Sequence, residues 1–378
     1  MAGIRSLVEC FSEIDDPRIE RTRVHPLESI LVLAVLAVVA GAEGWEDIED
    51  YGLEKESFLR KFLRFPAGIP SHDTISRVFR MLRPDVFQRA FLDWVKSAQP
   101  EIEAELIAID GKSLRRSHDR KSMKTMLHSV SAWSVRNHLV LAQRSVDEKS
   151  NEITAIPKLL EDLVLKGAIV TIDAMGCQKE IAEKITQGEG DYVLAVKDNQ
   201  PLLRQAIEAY FQAAHESEFA EEKCRAHQTE EEHHGRIEKR FYYQSAIPKK
   251  LEHLTADWAE ARSICQVVSI TERDGKEVSD VRYYISSLKP RVKTLASAVR
   301  GHWGIENSLH WVLDMTFNED QSRIRKDNGP ENFALLRRFA IGIIKQDTSK
   351  GSIRRKRKRA AWNDAFLLNL ICSSHYLL

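Results

Sequence analysis

The chain has 378 residues, 43% apolar and 30% charged, with 56 basic and 56 acidic side chains and a formal net charge of zero. That is length for two or three domains with packed cores. The five cysteines are scattered, at 10, 177, 224, 265 and 372, with no CxxC pair, which leaves out a thiolate zinc site of ordinary spacing and a disulfide framework and suits a reducing cytosol.

Residues 1–100 read as helical. The opening MAGIRSLVECFSEI mixes charged and apolar residues, unlike a signal peptide. His25-Pro26 opens an apolar helix over Ile30–Ala40, too short to span a bilayer, and Gly41 and Gly44 close it. GWEDIEDYGLEKESFLRKFL, IPSHDTISRVFRML (with Ser71 and Asp73 as capping residues) and PDVFQRAFLDWVKSAQ follow at helical spacing, and Arg77, Arg80 and Arg83 offer a basic face to DNA or simply to solvent. After Pro100 the texture changes. LIAID, LHSVSAWSV and HLVLAQRSV read as strands, the last two joined at Arg136-Asn137. SNEITAIPKLLEDLVLKG reads as a helix from Ser150 to Gly167, AIVTIDA as a strand, GCQKEIAEKITQ as a helix and DYVLAVK as a strand, with KDNQP starting another helix. This order predicts an α/β fold, a ribonuclease-H-like mixed sheet core behind an all-helical N-terminal domain. A strand-rich insertion at about 203–290 contains RFYYQSA and two strands turning at Asp274-Gly275, and the acidic HQTEEEHH reads only as polar. The expected division is 1–100 helical and DNA-binding, 101–345 catalytic, and 346–378 a basic tail and helix carrying the run Arg354–Arg359.

Three acids stand out. Asp110 and Asp173 each end an apolar run, and Glu306 in GHWGIENSLHW shares a helical stripe with Val299, His302, Leu309 and Leu313. An acid on a core-facing stripe is costly unless a positive group meets it. Carboxylates gathered at one place raise one another's pKa, and divalent cations remove that cost. Mg²⁺ takes oxygen ligands and keeps waters, and two such ions can hold the attacking and leaving oxygens of a phosphodiester. Taken singly, each aspartate also reads as a turn former or cap, and Glu306 as the partner of Arg300, Arg325 or His310 in a buried salt bridge. His302, Glu306 and His310, spaced by four, could instead carry zinc or iron in a metallohydrolase. Nearby basic residues suit a polyanion: Lys112, Arg115, Arg116, Lys197, Arg300, Arg323 and Arg325 as phosphate contacts, His302 beside the acid, and Trp303 as a stacking surface.

The stretches FSEIDDPRIERTRVHPLESILVLAVLAVVAGAEGWEDIEDYG, AIDGKSLRRS, EKSNEITAIPKLL, AIVTIDAMGCQKEIA, DYVLAVKDNQ and HWGIENSLHWVLDMTFNEDQSRIR closely resemble the H-repeat-associated insertion-sequence transposases of bacteria, from about Phe11 to Ile344. The resemblance implies a cytoplasmic DDE transposase of cut-and-paste type. Asp110, Asp173 and Glu306 match the family's three acids and would hold two Mg²⁺ ions, with Mn²⁺ able to substitute. It further implies double-stranded DNA partners (terminal inverted repeats and target), a homodimer on DNA and no membrane. Two departures are visible. Asp198 stands where the family commonly has glycine in KGNQ, and Leu313 stands where more distant relatives carry the lysine of a Tyr, Arg, Glu, Lys signature. The alternative within the family is an inactive or repurposed DNA-binding descendant.

Overall fold

The computed structural model describes residues 2–98, 106–114, 128–146, 152–220, 223–233, 236–273 and 276–373. In chain order the elements are α1 (Ala2–Ser12), α2 (Leu27–Ala40), α3 (Trp45–Glu54), α4 (Glu56–Leu59), α5 (His72–Met81), α6 (Pro84–Ala98), β1 (Leu106–Ser113), β2 (His128–Ser134), β3 (Leu139–Val146), α7 (Glu152–Glu161), β4 (Ile169–Ile172), α8 (Lys179–Gln187), β5 (Asp191–Val196), α9 (Pro201–Glu216), β6 (Cys224–His233), β7 (Arg236–Ala246), α10 (Glu252–Thr255), β8 (Ser263–Arg273), β9 (Lys276–Ser286), α11 (Val292–Ile305), a π turn (Glu306–His310), α12 (Trp311–Phe317), α13 (Gly329–Gln346), α14 (Ile353–Trp362) and α15 (Asp364–Ser373). They form two compact units that do not follow chain order: Met1–Glu103 with Gly111–Lys149 and Glu306–Leu378, and Ala104–Asp110 with Ser150–Ile305.

The first unit is built on α2 and α13. Helix α2, LESILVLAVLAVVA, is apolar on every side and buried on every side, as a helix without a polar face must be. Pro26 precedes its first turn, and Gly41, at φ +129°, ends it in a conformation that a side chain would strain. Around it pack α1, α3, α13 and α14. Aromatic rings tie these helices together: Trp45 stacks on Phe79 and meets Phe333 edge-on, and Phe91 lies flat on Phe339 with centroids 3.7 Å apart. Strands β2 and β3 pair antiparallel, with a bulge between Ala132 and Trp133. The end of β1 joins them through Ser113 Oγ and His128 Nδ1, 2.7 Å apart.

In the second unit β1, β4 and β5 are parallel, and the order runs β1-β4-β5-β9-β8-β7-β6. Strand β9 lies antiparallel to β5, pairing Val193–Val196 with Ser286–Tyr283, and β8, β7 and β6 continue as a meander. Helix α11 lays Leu295, Ala296, Ala298 and Val299 on this sheet against Val193, Tyr242, Cys265, Val267 and Tyr284.

The expected succession of strands and helices from β1 to β5 is present. Four features differ from the sequence reading. The stretch expected as an insertion is not set apart but extends the sheet from β5, whose outer edge it pairs. HQTEEEHH lies within strand β6, its side chains alternating between exposed (Gln228, Glu230, Glu232) and half-buried (His227, Thr229, Glu231). Helix α7 stops at Glu161, because the chain turns over Leu159–Leu163 and Gly167, at φ +71°, delivers it to β4. The basic run is folded as α14 rather than trailing as a tail. Ser150 and the turn at Asp274-Gly275 lie outside the described residues. Among the described residues no single helix is long and apolar enough to cross a membrane.

Candidate active site

Asp110 and Asp173 come together in the second unit. Strands β1 and β4 run parallel in register through Ile109 and Ile172. One residue further along each strand stands an aspartate, which sets the two backbones about 5 Å apart. Side chains alternate along a strand, so Asp110 shares a face with Ala108 and Asp173 with Thr171. That face is covered by α11, since Thr171 Oγ1 lies 3.0 Å from His302 Nδ1. Both aspartates are half-buried.

The turn after Asp173 is tightly specified. Asp173 Oδ1 accepts from the Met175 amide at 3.1 Å, so the residue is also the cap expected of an aspartate ending a strand. Gly176 lets α7 close on it: a Cβ there would stand 2.2 Å from Ile172 Cγ2 and 3.1 Å from Ile156 Cδ1. Asn199 Nδ2 donates to the carbonyls of Ala174 and Cys177, and Gln200 Nε2 donates to Cys177. Burial first, and the Glu152 carboxylate second, push the Asp173 carboxyl above its usual range, while the amides of Gly176 and Met175 and the Lys197 charge pull the other way. Glu152, buried at the start of α7, is an acidic neighbour that helical spacing did not single out. Its only signal was its place in SNEITAIP, before an apolar helix. Asn199 and Gln200 were equally unmarked, apart from their position in KDNQ at the end of β5. Asp198, the departure from the family's glycine, is exposed and paired with Arg204 at 2.6 Å.

A cavity of about 290 Å³ opens beside Asp173, lined among others by Lys197, Arg204, Arg282, Tyr283 and His302. Lys197, at the end of β5, is exposed. His302 is held to Thr171, and burial lowers its pKa to about 4. It therefore brings a neutral imidazole to this cavity, not a cation. Trp303 is 37% exposed, with the Arg282 guanidinium 4.7 Å above its ring. Arg300 does not meet Glu306. It forms a fork with Glu231 at 2.9 and 2.8 Å, which takes the Glu231 pKa down to about 2 and ties α11 to β6.

The other expected residues lie in the first unit. Glu306 is exposed and opens the π turn. The stripe drawn from Val299 to Leu313 assumed uninterrupted α geometry. The wider turn shifts the phase by part of a residue and carries Glu306 out of the buried set, while Leu309, Val312 and Leu313 remain inside. Glu306 has no ion pair among the described residues, so the buried-salt-bridge reading is not what the structure shows. Lys112 Nζ lies 2.7 Å from both carboxylate oxygens of Asp314 and 3.8 Å from Asp320, its side chain only 9% exposed. Arg323 and Arg325 line a groove of about 690 Å³ with Arg80 and Lys326 on one side and Glu43, Glu46 and Asp47 on the other. Arg115 and Arg116 lie outside the described residues. Among the described residues no three His, Cys, Asp or Glu side chains are gathered as a metal site, and that includes the His302, Glu306, His310 set.

Comparison with known proteins agrees with this layout. Residues 8–95 match the family described as DDE_Tnp_1-associated, and residues 102–343 match the transposase DDE domain. The H repeat-associated protein YhhI of Escherichia coli (strain K12) is 41% identical over 98% of this chain and 99% of its own length. YbfD of the same strain, also H repeat-associated, is 43% identical over 67% of this chain and 98% of its own. A shorter relative there, called inactive transposase YbfQ, is 48% identical over 20% of this chain and 89% of its own. A piggyBac transposase synaptic complex with hairpin DNA aligns over 99% of this chain and 78% of that one, at 13% identity and a TM-score of 0.39, too low for the likeness to bear on the fold. With both family matches in chain order and full-length identity of 41%, the chain belongs to the H repeat-associated transposases of the DDE-domain family.

Proposed function

We propose that this protein cuts DNA at the ends of a mobile element and joins the freed 3′-hydroxyl to target DNA, using Asp110, Asp173 and Glu306 on a ribonuclease-H-like core. The observation that carries the proposal is the pairing of Asp110 and Asp173 at corresponding positions of adjacent parallel strands, in a chain of the transposase DDE family. Two half-buried carboxylates, one already pushed toward protonation by burial and by Glu152, form a hard oxygen donor set that suits Mg²⁺ or Mn²⁺. Such ions, two per site, would supply Lewis-acid activation of water and of the phosphodiester. Glu306 is the third ligand by family position. The chain's own contribution is placement. The Gly176 turn, braced by Asn199 and Gln200, holds the Asp173 carboxylate at the strand end. Lys197 presents a cation to the substrate phosphate, and His302, neutral and oriented by Thr171, accepts a hydrogen bond without drawing phosphate away from the acids. Arg323 and Arg325 contact duplex DNA in their own groove. Lys112 and Arg300 act through Asp314 and Glu231, as positioning residues. The helical N-terminal region binds the terminal repeats, and paired cutting of two ends requires a homodimer.

Asp110→Asn tests this directly. Cleavage of end-containing DNA in Mg²⁺ should fall by at least about a thousandfold while duplex affinity stays within about twofold. A wild-type protein that binds such ends and never cleaves them, in Mg²⁺ or Mn²⁺, is instead a DNA-binding descendant. That second reading has one observation in its favour, the lack of a gathered acidic trio among the described residues.

A further inference from the structure

The run Arg354–Arg359 contains six consecutive basic residues in a chain whose formal net charge is zero. Helix α14 sorts them by phase. Lys356 and Arg357 turn inward: Lys356 meets the Asp347 carboxylate at 3.0 Å, while Arg357 donates to the carbonyls of Thr316 and Val38 and lies 3.9 Å over the Phe317 ring. Arg354, Arg355, Lys358 and Arg359 face outward, and Trp362, 78% exposed, closes the same helix.

Exposed arginines elsewhere in this unit are matched by acids: Arg60 by Glu56, Arg64 by Glu28, Arg80 by Asp327 and Arg83 by Asp85. The four outward cations of α14 have no acidic partner among the described residues, and the helix itself carries no acid. Arg359 leans on the Phe366 ring at 4.0 Å, which holds its guanidinium in place without neutralising it. Long, flexible cations on a rigid helix, anchored by its two inward basic residues, are a stable basic face, not a loose tail.

We propose that this outer face of α14 is a DNA-backbone interface, with Arg354, Arg355 and Lys358 contacting phosphates and Trp362 packing against sugar or an exposed base. The choice of DNA among polyanions rests on the transposition reading. Charge density supports it: four cations fall within about 7.5 Å of helix axis, roughly one per 2 Å, against one phosphate per about 1.7 Å of duplex. A membrane surface fits poorly, because an interfacial helix needs an apolar face. Here Ala360 is buried in the protein core, and Trp362 is the lone exposed large apolar side chain of α14.

The test uses the full chain in EDTA, so that no cleavage is needed, and a short labelled duplex of arbitrary sequence titrated between roughly 50 and 200 mM salt. The combined variant Arg354→Gln, Arg355→Gln, Lys358→Gln should keep the wild-type melting temperature, since all three side chains are exposed. It should bind at least about tenfold more weakly at the low-salt end and lose about 2–3 from the slope of log K against log salt, near 0.9 per phosphate contact. Trp362→Ala should weaken binding several-fold with the slope unchanged. A folded triple variant with wild-type affinity and slope overturns the proposal, as does a wild type that binds phosphatidylserine vesicles through these residues but not duplex. If the slope falls as expected and the wild type never cleaves in Mg²⁺, the interface stands and the transposition reading fails. If the wild type cleaves and the slope does not change, only the interface fails.

Discussion

Asp173 is held where its charge is unwelcome. Its carboxyl is raised in the folded state by burial and by Glu152, so the folded protein binds this proton more tightly than the unfolded chain does. Stability from this group is therefore greatest below the unfolded value and falls as pH rises through the folded one. Asp173→Asn removes the cost and keeps the oxygen that caps Met175. At neutral pH it should raise the melting temperature, by about 2–4 °C for each kcal/mol relieved, while abolishing cleavage. Differential scanning calorimetry at pH 7 beside a nicking assay checks both, and a lower melting temperature would contradict the burial argument. His302 runs the other way. With its pKa near 4 it should show no shift of its ring-proton NMR signals between about pH 5.5 and 8, and its neutral burial stabilises the fold above pH 6.5, a benefit lost as pH drops toward 4. The two aspartates were legible because each closes an apolar run before a turn, a pattern that survives in one dimension. Glu152, Asn199 and Gln200 were not, because their importance arises from what folds against them: a helix N-terminus and a loop brought to one strand end by chain separated from it by many residues.

Among elements, β6 and α13 are the informative ones. The acids of HQTEEEHH belong to the outermost strand of the second unit's sheet, where outward charge discourages pairing with another chain. Composition alone gave no sign of a strand, because an edge strand with one exposed face can be almost wholly polar. Replacing Glu230 and Glu232 with valine should leave β6 folded and make the protein self-associate, read as a concentration-dependent rise in sedimentation coefficient. Helix α13 buries Arg337 and Arg338 almost completely, with the Arg338 guanidinium 2.9 Å from Glu319, itself 1% exposed. Glu319→Gln would leave two buried guanidiniums without a counter-charge, and by the usual cost of breaking a buried pair should lose about 3–5 kcal/mol in urea denaturation. A loss below about 1 kcal/mol would mean that the arginines find other acceptors.

At the scale of the whole molecule, the order of strands and helices was readable from hydrophobic period and turn residues, because each short element carries its own pattern. The division into two units was not. The chain leaves and re-enters each of them, and only the folded structure groups Gly111–Lys149 with the first hundred residues. One of the passages between units falls at Ile305 and Glu306, where the π turn begins. A π turn behaves like a single extra residue accommodated in a helix, and so it sets the angular offset between the helical turns on its two sides. Deleting Asn307 should let the segment rewind as ordinary α-helix and rotate everything downstream by about 100° about the helix axis. Leu309, Val312, Leu313 and Phe317 would then swing away from the core they fill. Loss of that one codon, with the reading frame intact, would act on the remaining seventy-odd residues as a steric frameshift, and element copies carrying it should have lost mobility while every acid of the site is still encoded.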